Sequence, residues 1–298
     1  MAEPDPLPRP RITGPRRAGR LSALDPRLAA WRPDLADLAL ADRIAVPAYV
    51  APVVRSNAGP AVMMRAAPAA DSIAVSELLP GEDFAVLEES GGWAWGFSVH
   101  DHYVGHVPAD ALGPALAPTH MAGPGDALVF AAADIKAPVI GTCPAGARLA
   151  ARPAEGSFAA AAGGFVHTRH LLPPGGDPGL DWVEVALLFL GSPYRWGGRS
   201  RAGVDCSGLV QMARQIAGRP TRRDSDMQAE DAAPVARQAA RRGDIACWAG
   251  HVGILLDGGG ADSARLLHAT AHAMRTLIEP LATVEARIGP AGIRRLPG

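Results

Sequence analysis

Apolar positions change their period along this chain. From about Asp42 to Leu112 they come in short runs broken by Gly, Pro, Asn and Ser, such as Phe84-Ala-Val-Leu87, Trp93-Ala-Trp-Gly-Phe97 and Tyr103-Val-Gly-His-Val107. Runs this short with turn residues between them predict the strands of a small β-barrel. A second copy follows from about Ala117 to Pro173. Gly81, Phe84 and Trp93 recur at one fixed offset as Gly146, Leu149 and Phe158, and Gly105, Val107 and Leu112 recur as Gly164, Val166 and Leu171. An internal repeat is a fold-level signal. The period then lengthens. Asp181-x-x-Glu184 forms a capping box that opens a helix running to Leu190 and stopping at Gly191. Leu209, Val210, Met212, Ala213 and Ile216 make an apolar stripe at helical spacing, closed by Gly218 and Pro220. Beyond a polar stretch, Arg223 to Gln228, the runs Asp244–Trp248, His251–Leu256 and Arg265–Thr270 read as strands, with Thr276–Leu281 and Ile293–Leu296 as added edge strands. Helices first and an antiparallel sheet after predict an α+β domain.

Four segments follow from these changes: a disordered or tether segment over 1–41, a first barrel over 42–116, a second over 117–173, and the α+β domain over 174–298. Within the first, Met1 to Arg20 is rich in Pro and Arg without periodicity, which predicts disorder, and Leu21 to Ala41 reads as a tether with one or two helical turns. Pro173 to Gly179 reads as a linker. A length of 298 residues accommodates this plan. A formal net charge of −1 argues for neither nucleic acid nor an anionic membrane surface as partner. No apolar run reaches the roughly 20 residues a membrane span needs, and the N-terminus has no apolar core of a secretory signal. The 3 cysteines, Cys143, Cys206 and Cys247, are scattered and make no disulfide framework. A reduced, cytoplasmic setting is the expectation. Aromatic residues are only 5% of the chain, so each Trp and Tyr carries weight.

The chemistry centres on Cys206. A free cysteine is ordinarily a buried small hydrophobe, but this one follows Asp205, a good N-cap residue, at the head of the apolar stripe. In the first helical turn, free backbone N–H groups and the helix dipole favour a thiolate. Ahead of it, the Gly- and aromatic-rich run Gly191-Ser-Pro-Tyr-Arg-Trp-Gly-Gly198 is loop material able to hold Tyr194 and Trp196 beside a groove. A nucleophilic cysteine needs a base, and that base an orienting group. Among 9 histidines, His251 opens a strand-like run after the turn-like Ala249-Gly250, and His268 and His272 lie in or just past the next run. A metal site is disfavoured, because the cysteines have no close pairs and His268-x-x-x-His272 in a strand would not face one ion. No cofactor is expected.

The residues Pro193-Tyr-x-Trp-Gly-Gly198 and Asp205-Cys-Ser-Gly-Leu-Val210 resemble the two motifs of the NlpC/P60 cysteine peptidases, and His251-Val-Gly-Ile254 resembles the family's histidine motif. Gly92-Trp-Ala-Trp-Gly96 with Tyr103-Val-Gly-His-Val-Pro108 is similar to a bacterial SH3-type domain. The resemblance implies an α+β papain-like NlpC/P60 catalytic domain preceded by two small all-β SH3-like barrels. It makes Cys206 the nucleophile, His251 the general base and His268 the orienting member, with His272 the competing choice. The Cys206 N–H would serve as an oxyanion donor, with Tyr194 as a second contact. Asp205, Ser207, Asp224 and Ser225 would line a pocket for an L-Ala-D-Glu moiety, with Arg223 pairing a carboxylate. Glu82 and Tyr103, both alanine in the second copy, would close the groove's far end on a protonated α-amine. The implied reaction is hydrolysis of the γ-D-glutamyl-diamino acid bond in a muropeptide with a free N-terminal L-Ala, in cell-wall recycling. A non-catalytic peptidoglycan-binding protein, and a thiol acyltransferase or amidase, are the alternatives.

Overall fold

The computed structural model describes residues 11–12, 24–173 and 178–298. Most of the segment expected to be disordered (1–20) and part of the expected linker (174–177) lie outside the described residues. Of the former, Arg11–Ile12 is described, and its backbone pairs antiparallel with Tyr49 and Val50.

The first barrel is built on a seven-stranded antiparallel sheet. In order across it run Leu112–Gly113, Val53–Asn57, Asp83–Ser90, Trp93–Ser98, Val104–Pro108, Val62–Arg65 and Ala74–Leu78. Side chains alternate across a strand, so Phe84 and Val86 enter the barrel core with Met64, Leu78, Ala94 and Val107. Ala85 and Leu87 point the other way and are buried as well, with Trp95 and Phe97, under Ala30, Leu35, Ala48 and Val50. That outer cover corrects the expected tether over 21–41. From Leu24 onward the segment carries short strands at Leu35–Asp37 and Ala48–Val50 and a 3-10 turn at Leu38–Leu40. It is held because the sheet's outer face is apolar. Arg32 stacks over the Trp95 ring, 4.3 Å from its centroid.

The second barrel pairs Ala127–Phe130, Val139–Cys143, Phe158–Ala161, Gly164–His167 and Arg152–Pro153 in one sheet over an alanine-rich core. The matched turn glycines of the two copies, Gly81 and Gly146, both have positive φ, 71° and 89°. A Cβ on Gly146 would come within 2.6 Å of Met212 Cε, on the helix that carries Cys206. The second barrel thus packs on the back of that helix, where Met121 and Ala145 join its core.

In the C-terminal domain, Trp182–Leu187 is helical, shorter than expected, and the chain continues to Leu190 in tighter turns. Asp181 caps it by accepting from Val183 N–H, while Glu184 pairs with Arg242 in place of closing the capping box. The helix Cys206–Ile216 shares one buried core with the sheet, its Leu209, Met212, Ala213 and Ile216 joining Val252, Ile254, Leu267 and Ala269. That sheet runs Ala233–Pro234, Gly292–Arg295, Ile245–Trp248, His251–Leu255, Arg265–Thr270, Arg275–Pro280. Two expectations are corrected here. Gly292–Arg295 is internal, since Ala233–Pro234 covers it, and a helix, Ser225–Asp231, begins inside the stretch read as polar; a further helix, Leu281–Ile288, starts at the last residue of the expected strand Thr276–Leu281. The first buries Met227 and Gln228. Among the described residues no helix is long and apolar enough to cross a membrane.

Buried ion pairs join the first barrel to this domain. Arg199, fully buried, places its guanidinium on Glu82 at 2.7 and 3.0 Å and on Glu77 O at 2.7 Å, and its backbone N–H donates to Glu77 at 2.6 Å. Arg223, equally buried, reaches Ser76 Oγ of the same barrel at 3.2 Å.

Candidate active site

Asp205 organises the nucleophile's turn. Its Oδ1 accepts from Gly208 N–H at 2.7 Å as the helix N-cap, and its Oδ2 accepts from Gly197 N–H at 2.8 Å. One carboxylate therefore ties together both halves of the cysteine motif. Gly208 is required by the closeness of that turn: a Cβ there would stand 2.3 Å from Gly198 O. Arg223 completes the carboxylate with contacts of 3.0 and 2.6 Å and donates to Ser207 Oγ at 3.0 Å. Asp205 and Ser207 do line the cavity at Cys206, but their polar atoms are already engaged by Arg223.

Cys206 is 6% exposed. The sequence-based expectation of a thiolate is corrected. Burial and the neighbouring Asp205 carboxylate push the thiol up to about 12, against the Val252 and Ser207 backbone N–H groups that pull it down. Desolvation of a nearly enclosed sulfur outweighs the helix terminus here. His251 begins the strand whose next residue, Val252, directs its N–H at the sulfur. Trp248 and His251 are register partners, so Ala249-Gly250 is a two-residue turn, with Gly250 at φ 76°. That turn holds the imidazole at the mouth of the sheet.

A relay runs away from His251. Its Nε2 lies 2.8 Å from His268 Nδ1, and His268 Nε2 lies 3.1 Å from Glu279 Oε1. Glu279 is gripped in turn by Arg287 at 3.1 and 2.9 Å. Because Glu279 is held ionised, His268 donates from Nε2 and accepts at Nδ1, so His251 donates from Nε2. This assigns the free lone pair of His251 to Nδ1, which leaves that nitrogen available as a base. Burial, then His268 and Arg287, press His251 down to about 4, so the imidazole is neutral at physiological pH. His268 is the relay member. His272 is exposed and its backbone N–H bonds Thr270 Oγ1. Glu279 was missed by sequence reading. Its signal was an acidic residue two positions past Leu277 in a strand-like run, diagonal to His268 across the pair Arg265–Thr270 and Arg275–Pro280.

Two cavities meet at Gly250. The first, about 320 Å³, is lined by Cys206, Trp196, Tyr103, Asp224, Ser225 and Arg27 among others. Tyr103 donates to Asp224 Oδ2 at 2.8 Å, and Arg27 donates to the same oxygen at 2.8 Å and to Asp226 Oδ2 at 2.8 Å. Asp224 therefore stands at the head of its helix without capping it. Arg27, from the segment taken for a tether, was also missed. The second cavity, about 830 Å³, is lined by His251, His268, Tyr194 and Trp248 among others. Tyr194 is raised by burial and then by the nearby Cys206 and Asp205.

Glu82 is the sequence-assigned site residue that the structure removes from the groove. It is 3% exposed, and its oxygens accept from Leu79 N–H at 2.8 Å, from Arg199, and from Gln215 Nε2 at 3.2 Å. In the second copy Ala147 stands at this position and is buried in that barrel's core. Among the described residues no group of three His, Cys, Asp or Glu stands together as a metal site would require.

Residues 191–283 match the NlpC/P60 family, and residues 64–112 match the bacterial dipeptidyl-peptidase SH3 domain. Dipeptidyl-peptidase 6 of Lysinibacillus sphaericus is 36% identical over 75 residues, 25% of this chain and 28% of the relative. A Bacillus subtilis protein named gamma-D-glutamyl-L-lysine dipeptidyl-peptidase is 33% identical over 87 residues, 26% of this chain and 29% of the relative. The chain thus spans less than a third of the length of the curated relatives it matches. The crystal structure of an NlpC/P60 family protein from Bacillus cereus superposes with a TM-score of 0.67 at 18% identity, over 82% of this chain and 100% of that one. The shared fold includes the barrels.

Proposed function

We propose, for a chain whose residues 191–283 belong to the NlpC/P60 family, that it is a cysteine peptidase cleaving the γ-D-glutamyl-diamino acid bond of peptidoglycan stem peptides that carry a free N-terminal L-Ala. The observation that carries the reading is the His251–His268–Glu279 relay beside a buried Cys206 in a groove with an acidic end. The names of the relatives support the bond.

Both reacting groups rest neutral. The thiol proton passes to His251 Nδ1 as sulfur attacks the amide carbon, so the nucleophile forms only with substrate in place. The Cys206 N–H, at the first helical position, has no intrahelical acceptor and faces the developing oxyanion. His251 then gives its proton to the departing amine nitrogen as the C–N bond breaks. A water, deprotonated by His251, splits the thioester and returns the thiol. His268 keeps the imidazole in its reactive tautomer throughout, and Glu279 holds His268.

In the cavity at Cys206, Asp224 and Asp226 both pair with the guanidinium of Arg27, which Asp25 also holds from outside the lining, leaving carboxylate charge for an ammonium. Asp224, oriented by Tyr103, takes over the amine-binding role that the sequence gave to Glu82. A free amine arises only after an amidase has released the stem from its glycan, and a preference for it supports a role in recycling of cell-wall peptides.

The test is incubation with L-Ala-γ-D-Glu-diamino acid tripeptides, free and N-acetylated, with product masses read out. Release of the dipeptide L-Ala-D-Glu from the free peptide alone is expected. Acyl transfer products, or no cleavage of either peptide, overturn the reading.

A further inference from the structure

The two cavities that meet at Gly250 differ in charge. The one at Cys206 is lined by Asp205, Asp224 and Asp226, with Arg27 as its one lining cation. The one on the His251 side has no Asp or Glu side chain in its lining, and it has Arg287 and Arg294. If the γ-glutamyl part of a substrate lies along the acidic cavity, the residue that leaves lies in the basic one.

The two arginines are not equivalent. Arg287 is spent on Glu279 and thereby on the histidine relay. Arg294 has no such partner. Among the described residues its side chain makes one polar contact, NH1 to Ala232 O at 3.3 Å, and no ion pair. It is half-buried, and its strand is locked between Ala233–Pro234 and Ile245–Trp248, opposite Ile245. Its charge is felt by the Cys247 thiol in the same wall, pulling it down against burial. A guanidinium on a fixed strand, facing a cavity and lacking a carboxylate, is a site for one.

We infer that the His251-side cavity is a subsite for the side-chain carboxylate of the leaving diamino acid, with Arg294 as its specificity residue, so that a diaminodicarboxylic acid such as diaminopimelate is preferred to lysine. The inference rests on the hydrolase reading above and departs from the lysine in the name of the Bacillus subtilis relative. The chemistry separates the two. A lysine side chain ends in an ammonium and brings a cation toward two guanidiniums with no lining carboxylate to receive it. A diaminopimelate side chain ends in a carbon bearing both an ammonium and a carboxylate, and the carboxylate can meet the Arg294 fork while the ammonium faces solvent. One charge-assisted contact of this kind corresponds to a discrimination of about tenfold.

The experiment compares L-Ala-γ-D-Glu-meso-diaminopimelate with L-Ala-γ-D-Glu-L-Lys on the full chain. The wild type is expected to cleave the first with kcat/KM about tenfold higher. Arg294→Ala is expected to remove that advantage by slowing the diaminopimelate peptide while the lysine peptide is cleaved no more slowly than by the wild type, and Arg294→Lys to restore part of it. Equal cleavage of the two peptides by the wild type, or a loss in Arg294→Ala that falls equally on both, overturns the subsite while leaving the hydrolase reading intact. Cleavage of neither peptide overturns the hydrolase reading, and calorimetry then judges the subsite separately. In the Cys206→Ala protein, tighter binding of the diaminopimelate peptide than of its side-chain amide, abolished by adding Arg294→Ala, supports it. Equal affinities refute it.

Discussion

Glu82→Ala separates a structural ion pair from a substrate contact. The substitution leaves Arg199, 0% exposed, without the carboxylate it meets at 2.7 and 3.0 Å. The guanidinium keeps Glu77 O, Gln211 Oε1 and Gln215 Oε1, so each of its nitrogens retains one hydrogen bond, but two N–H groups lose their acceptors and the charge loses its direct partner. Breaking a buried pair from one side costs about 3–5 kcal/mol. The linkage argument agrees. Burial pushes Glu82 up, but Arg199 and His100 outweigh it and hold the carboxyl at about 2, against an ordinary 4.5. A carboxyl depressed on folding contributes stability that is present above the ordinary value and lost as pH falls toward 2, here about 3 kcal/mol. At about 2 °C per kcal/mol for a chain of this size, Glu82→Ala is expected to lower Tm by roughly 6–10 °C near neutral pH. The difference from wild type should shrink as pH drops from 5 toward 3. Thermal denaturation followed by circular dichroism over that range measures it, alongside kinetics on free and N-acetylated peptide. An unchanged Tm together with a reduced preference for the free amine would refute the reasoning and return Glu82 to the substrate.

With the Cys206 thiol pushed up to about 12, alkylation by iodoacetamide should be slow at neutral pH and rise about tenfold per pH unit up to at least pH 9; a plateau below pH 8 would mean a preformed thiolate. His251, pressed down to about 4, remains an effective base to low pH, so kcat/KM should hold to about pH 5 and fall through about 4, and an acid limb near the ordinary 6.5 would contradict the burial argument. His268→Ala should lower kcat by about 10²- to 10⁴-fold with little change in KM, since it removes the tautomer-holding partner. His272→Ala should leave kcat unchanged, and the reverse result would reassign the relay.

The cysteine motif, the turn before His251 and the run of strands after it were legible because each depends on local patterns. A cap residue before an apolar stripe, a Gly in a two-residue turn, and short β-rich runs between turn signals specify their structure within a few residues. His268 was legible for the same reason, being in the strand that must pair beside His251. The helix Ser225–Asp231 was not, since its apolar residues are only Met227 and Ala229, and contact with the Cys206 helix, where Gln228 Nε2 donates to Ser207 O at 2.9 Å, decides it. Glu82 shows the opposite error. Comparing the two copies correctly marked it as a residue with a role in one copy, yet local sequence holds no information about Arg199, which lies 117 residues away and is brought to it by packing of the barrel on the catalytic domain. Arg27 and Glu279 likewise became functional candidates only through distant partners. The protonation of the site was decided the same way. Sequence placed Cys206 at a helix N-terminus, where backbone dipoles favour a thiolate, but the degree of burial is a property of the whole assembly. Around this sulfur the cost of desolvating a charge exceeds what one helix terminus returns.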